Sequence, residues 1–231
     1  MYSTPINIAS ANMHRCNAAM HALLHSSQLD HIILIQEPWF DKIGTAWKDS
    51  AREGVDVLGG VASLGWEGHY PTMPAGGCAK VMAYMRKRSW EHLNDSALFS
   101  ATTRQDLCSH QCILILDIAF DDRTWRLVNF YNDIRDKMVL DMLLELDLDL
   151  TIPMLVVRDF NTHSQSWSPQ YVPPSQWVDR LEEWAISNLL TLANEPGIVT
   201  RKGVDHKHNS TIDLTWYNDT AIMESTFSNW S

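Results

Sequence analysis

The apolar residues of this chain fall in short unbroken runs, and that pattern most restricts its fold. "HIILIQ" (31–36), "AKVMAYM" (79–85), "CILILDIAF" (112–120), "WRLVNFY" (125–131), "PMLVV" (153–157) and "TIDLTWY" (211–217) have strand length. Several are continuously apolar, as in sheets covered on both faces. "FDDRTW" between two of them predicts a hairpin turn. Three other segments have helical period: 17–27, 136–148 and 175–190. The second places Met138, Leu143 and Leu146 on one face. The third starts from a Ser175 cap and aligns Trp177, Leu181, Trp184, Ala185 and Leu189. Strands mixed with helices imply a layered α/β domain. The Gly-rich, weakly periodic span 41–78 is expected to be loop.

The 231 residues suit one domain with a substantial core. Hydrophobic residues at 45% and charged residues at 20% exclude a disordered chain. No apolar run approaches membrane-spanning length. The N-terminus lacks a basic segment followed by an apolar one, so an intracellular setting is expected rather than secretion. Cys16, Cys78, Cys108 and Cys112 then read as reduced thiols. The Asn-x-Ser/Thr triplets at 209, 218 and 229 have meaning only in a secreted chain. Ten tryptophans suggest that some line a groove. A net charge of −10 argues against a nonspecific nucleic-acid coat. It leaves room for an enzyme that meets phosphates through a divalent cation.

Polar residues recur where the apolar runs end. Asn12 ends a first short run, "INIASANM" (6–13), Glu37 follows "HIILIQ", Tyr131 ends and Asn132 follows the run at 125–131, and Asp159 and Asn161 follow the run at 153–157. Asp213 lies inside the last. Loops at strand ends are where α/β folds place their sites. Carboxylates gathered there repel one another unless neutralised, and Mg²⁺ takes one or two carboxylates plus water and phosphate oxygens. Asn side chains add neutral oxygens or orient water. Each residue also has a plainer use: Asp and Asn after a strand form turns or caps, and Glu37 before Pro38 suits a solvated loop. Asp213, among apolar and Thr neighbours, needs a partner if buried.

"QEPW", "GGCAK", "LVNFYND", "DFNTHSQSW" and "STIDLTWYN", in this order and spacing, resemble the endonuclease/exonuclease/phosphatase superfamily. They look most like the endonuclease domain of LINE-type (non-LTR) retrotransposon polyproteins. The resemblance spans nearly the whole chain, which it implies is a single domain over 1–231. It implies a four-layered α/β sandwich of two packed mixed sheets flanked by helices, and metal-dependent phosphodiester hydrolysis. By position, Glu37 with Asn12 beside it would hold Mg²⁺, with Mn²⁺ as the alternative ion. Asp159 would activate or orient water, Asn161 would hold the scissile phosphate, and Tyr131 would meet the phosphate or leaving group. Asp213 would orient the family's histidine. Thr200, Ser210 and Asn132 would face DNA. A reverse transcriptase domain would follow downstream in a full-length polyprotein.

Two departures bear on activity. The family's Gly-Asp-Phe-Asn begins here with Arg158, whose cation either pairs with Asp159 or points outward. The family's closing Ser-Asp-His strand has no counterpart before residue 231, so a truncated domain with weak activity is expected. A remnant that only binds nucleic acid or a partner, and a superfamily phosphatase or phosphodiesterase, are the alternatives. "CSHQC" (108–112) and "DHKH" (205–208) lack the paired spacing of a zinc site and read as surface loop. "ELDLDL" (145–150) reads as a helix end, and "MRKRS" (85–89) as a DNA-backbone contact or a solvated strand end.

Overall fold

Each apolar run becomes a strand because both of its faces have a layer to pack against. The computed structural model describes residues 6–27, 30–47, 54–73, 77–87, 100–120, 123–133, 135–136, 138–168, 176–202 and 209–224. Strand β1 (Ile8–Asn12) leads to helix α1 (Asn17–Ser26) and strand β2 (Ile32–Gln36). Strands β3 (Asp41–Trp47), β4 (Gly54–Gly59), β5 (Trp66–His69), β6 (Val81–Arg86) and β7 (Ser100–Thr103) follow. Then come β8 (Ile113–Phe120), β9 (Arg123–Phe130), α2 (Met138–Leu144) and β10 (Met154–Asp159). The last elements are α3 (Gln176–Ser187), β11 (Leu190–Leu192), β12 (Asp213–Asn218) and α4 (Asp219–Glu224).

Two mixed sheets result. One has the order β1-β2-β6-β5, the other β11-β12-β10-β9-β8-β7. β1 and β2 run parallel, as do β9 and β10; the remaining neighbours in the two sheets are antiparallel. Ile32, Leu34, Val81, Ala83 and Met85 of the first sheet meet Leu114, Leu116, Leu127, Leu155 and Val157 of the second. The other face of the first sheet buries Ile33, Ile35 and Met82 against Met20 and Leu24 of α1. The other face of the second buries Val128, Phe130 and Val156 against α2 (Leu140, Leu143) and α3 (Leu181, Trp184). This is the expected sandwich of four layers.

Between the sheets lies one buried polar tie. The Asn129 carboxamide on β9 donates to the Ile35 and Met82 carbonyls at 3.1 and 2.9 Å and accepts from Gln36 Nε2 at 2.6 Å. A second buried polar group, Arg126, lies at 2.8 and 3.0 Å from the two Asp117 oxygens.

Several sequence expectations need correction. Span 41–78 is not loop: β3 and β4 form a two-stranded sheet and β5 joins the first sheet. Their few apolar residues are scattered among glycine and polar residues, so neither periodicity template detects them. Helix α2 stops at Leu144, because "ELDLDL" alternates and the chain closes with a tight Leu146 N–H to Leu143 O turn. Met138, the first residue of α2, is 67% exposed, because the buried face is carried by Val139, Leu140 and Leu143. Helix α3 stops at Ser187, and Leu189 beyond it has a positive φ of 52° and faces solvent. Ser175 lies outside the described residues, as do 203–208 and 225–231. Of the ten tryptophans, Trp66, Trp167, Trp184 and Trp216 are core residues. In the 108–112 turn Cys112 is buried, and burial pushes its thiol up to about 12, which removes it as a thiolate ligand. Arg86 of "MRKRS" is structural: its guanidinium lies 4.4 Å from the Trp66 ring centre and donates to the Asp30 and Ser27 carbonyls. Among the described residues no helix is long and apolar enough to cross a membrane.

Candidate active site

Parallel pairing brings the proposed ligands together. β1 and β2 run side by side with Asn12 opposite Gln36, so Asn12 and the next residue, Glu37, emerge at one sheet end. Asn12 Nδ2 donates to Glu37 Oε1 at 3.0 Å. Glu37 has φ 44°, a left-handed conformation that a non-glycine residue holds only when its surroundings impose it. Here they do. Its N–H donates to Lys80 O at 2.8 Å and its carbonyl accepts from Arg15 N–H at 2.7 Å. His14, also left-handed, donates its N–H to Asn12 Oδ1 at 3.0 Å and places Nδ1 3.8 Å from Glu37 Oε1.

The second sheet supplies the rest. The Tyr131 hydroxyl donates to Glu37, and its pKa is raised by burial first, then by Glu37, Asp133 and Asp159. Lys80 Nζ lies 3.7 Å from Asp133 Oδ2 on the same loop. β10 and β12 pair antiparallel with Asp159 directly opposite Asp213. Asp159 is 7% exposed, and burial, then Asp213, then Glu37, raise its carboxyl to about 7. The Asn161 N–H at 3.1 Å and the Arg201 charge act the other way. Asn161 has φ 46°, and its amide donates to Asn132 O at 2.8 Å. Asn132 in turn donates to Phe160 O at 2.7 Å, so its carboxamide latches the two loops together. Thr200 Oγ1 accepts from the Ile212 and Asp213 N–H groups at 3.1 Å each. Ser210 is buried and bridges to Arg201.

The structure thus links Asn12, Glu37 and Tyr131 in one hydrogen-bonded set and Asp159, Asn161, Asn132, Asp213 and Thr200 in a second. Electrostatic coupling among Glu37, Tyr131 and Asp159 joins the two. The sequence reading missed Lys80, Asp133, His14 and Arg201. Asp133 and Lys80 were visible as the last residues of "LVNFYND" and "GGCAK"; His14 and Arg201 carry no local signal, since only folding brings them to the strand ends. The Arg158 backbone pairs with Leu214 inside β10, and its side chain lies outside the described residues.

Among the described residues no three His, Cys, Asp or Glu side chains converge as a metal cage. The donor set nevertheless suits Mg²⁺, which needs one or two carboxylates and keeps its waters. Glu37 lies beside the Asn12 carboxamide, whose Nδ2 donates to it while Oδ1 accepts from His14 N–H; turning that amide over would set its oxygen beside the carboxylate. Burial first, and then the neighbouring Asp213 and Glu37 carboxylates, raise the Asp159 carboxyl, and a bound cation would oppose both effects.

Residues 125–231 match the family described as endonuclease-reverse transcriptase. Among solved structures, the endonuclease domain of TRAS1, a telomere-specific non-LTR retrotransposon, aligns with a TM-score of 0.68 at 17% identity. The alignment covers 95% of this chain and 88% of that one. This chain has the endonuclease/exonuclease/phosphatase fold. An endonuclease/exonuclease/phosphatase family protein from Leptotrichia buccalis C-1013-b also aligns, with a TM-score of 0.50 at 11% identity over 94% of this chain and 89% of that one. A comparison with curated proteins gives no match. Glu37 follows β2 of one sheet, while Tyr131 follows β9 and Asp159 ends β10 of the other.

Proposed function

We propose that this chain is a metal-dependent DNA endonuclease domain of retrotransposon type that nicks one strand and leaves a 3′-hydroxyl. The observation that carries the reading is the coupling of Glu37, Tyr131 and Asp159 across the two sheets, in a chain whose residues 125–231 match endonuclease-reverse transcriptase proteins. Glu37 and Asn12 would hold Mg²⁺, or Mn²⁺ in its place. Bound there, the ion would supply Lewis-acid stabilisation of the charge that develops on the phosphate. Asp159, with its carboxyl near 7, is matched to take a proton from the attacking water at neutral pH. Asp213, directly opposite, helps keep Asp159 basic. As the water oxygen bonds to phosphorus, the bond from phosphorus to the 3′ oxygen breaks. Tyr131, held neutral by burial and its acidic neighbours, donates a hydrogen bond to that leaving oxygen. The Asn161 carboxamide faces the phosphate, and Thr200 and Ser210 shape the neighbouring wall that meets DNA. The DNA substrate, a downstream reverse transcriptase domain and a nuclear site of action belong to the same reading.

The test is nicking of supercoiled plasmid in Mg²⁺. Glu37→Ala and added EDTA should each remove at least about 10³-fold of the rate. Arg158→Gly measures in the same assay what the arginine costs. Nicking that survives both EDTA and Glu37→Ala would overturn the proposal.

A further inference from the structure

Asn161 sits in a segment, 160–168, that has no regular structure beyond a turn at 165–167. Its left-handed backbone must be imposed from outside. One hold is the exchange of hydrogen bonds with the Asn132 loop. The other comes from α3. The Ser164 hydroxyl, on a residue only 4% exposed, donates to Glu182 Oε1 at 2.5 Å. The Ser166 hydroxyl donates to the same oxygen at 2.8 Å. Around this point the segment folds on itself: Ser166 N–H donates to Ser164 Oγ at 3.0 Å, Ser168 N–H to Ser164 O at 2.7 Å, and the buried Trp167 indole to Thr162 O at 3.2 Å. The neighbours of Glu182 on its helix, Leu181, Trp184 and Ala185, are locked in the core. Glu182 therefore refers the loop to a rigid body, and does so with a carboxylate used as an acceptor of two hydroxyls.

We propose that Glu182 is a positioning residue for the nuclease site: by accepting both serine hydroxyls it fixes the 160–168 segment and so aims Asn161. The inference rests on the nuclease reading given above. Both bonds end on one oxygen, so a glutamine retains the acceptor while removing the charge. Glu182→Gln should keep kcat for nicking within about twofold, whereas Glu182→Ala should lower kcat by about 10- to 100-fold. KM should stay within about twofold, because substrate binding is not what is lost. The double variant Ser164→Ala, Ser166→Ala leaves α3 untouched and should reproduce the loss; it decides the matter if Glu182→Ala does not fold. Unchanged kcat in the alanine variants, or an equal loss in Glu182→Gln, overturns the proposal. Hydrogen–deuterium exchange across 160–168 separates it from the nuclease reading. If the parent chain does not nick, that reading fails, while faster exchange in Glu182→Ala but not in Glu182→Gln still supports the positioning role. Unchanged exchange in both sinks it.

Discussion

At the scale of single residues, the carboxyl of Asp159 ties function to stability. Its ordinary value is 3.8; burial, then Asp213 and Glu37, raise it to about 7 in the fold. Between those values the folded chain binds a proton that the unfolded chain does not, so stability falls as pH rises. The stabilisation is full below about pH 4 and gone above about pH 7, with an upper bound of roughly 4 kcal/mol. Urea melts in EDTA should show this loss across pH 4 to 8, and Asp159→Asn should flatten it. Mg²⁺ should restore more stability at pH 8 than at pH 5, since the carboxylates it compensates are fully charged only at the higher pH. A pH-independent midpoint in EDTA would rule out the buried-acid account. Asp159 was legible in the sequence as a strand-end acid. Its altered acidity was not, because the opposing Asp213 arrives from 54 positions away in sequence through strand register.

The elements depend on buried polar ties as much as on apolar faces. Asn129 alone links β9 to β2 and β6 through three hydrogen bonds. Asn129→Leu leaves the Gln36 amide and two carbonyls without this partner, so it should cost about 2–4 kcal/mol. Denaturant titration checks it; a cost near zero would mean the sheets pack without the tie. Helix α3 owes its place to a single stripe, and Leu181→Ala, at a side chain with 0% exposure, should cost about 2–5 kcal/mol. The long apolar runs announced their strands, because a buried strand needs no alternation. β3, β4 and β5 did not, because edge and hairpin strands draw stability from backbone pairing that composition does not record. Helix ends were misplaced too: α3 ends at Ser187, where the chain must turn into β11 at Leu190, and α2 ends at Leu144, where helical period gives way to the alternation of "ELDLDL".

For the whole molecule, a net charge of −10 would meet a polyanion in the proposed nicking reaction. Long-range repulsion slows encounter and is screened by salt. The KM for duplex DNA should therefore hold or fall as NaCl rises from about 10 to 100 mM, within the range where the Debye length shortens most. A steep rise would show that a local basic surface governs binding instead. By itself the sequence determined the layered α/β class, the long strands, the presence of helices within 17–27, 136–148 and 175–190, and a set of polar residues at strand ends whose spacing resembles one superfamily. These are local properties: length of apolar runs, period, and motif order. Only the tertiary structure decided which polar residues meet. Parallel pairing of β1 with β2 set Asn12 beside Glu37, antiparallel pairing of β10 with β12 set Asp159 against Asp213, and sheet packing brought Tyr131 to Glu37. The same packing recruited Lys80 and Arg201 and sent the tryptophans Trp66, Trp167, Trp184 and Trp216 inside. The physical reason is that register and burial set charge proximity and desolvation, and both depend on residues far apart in the chain.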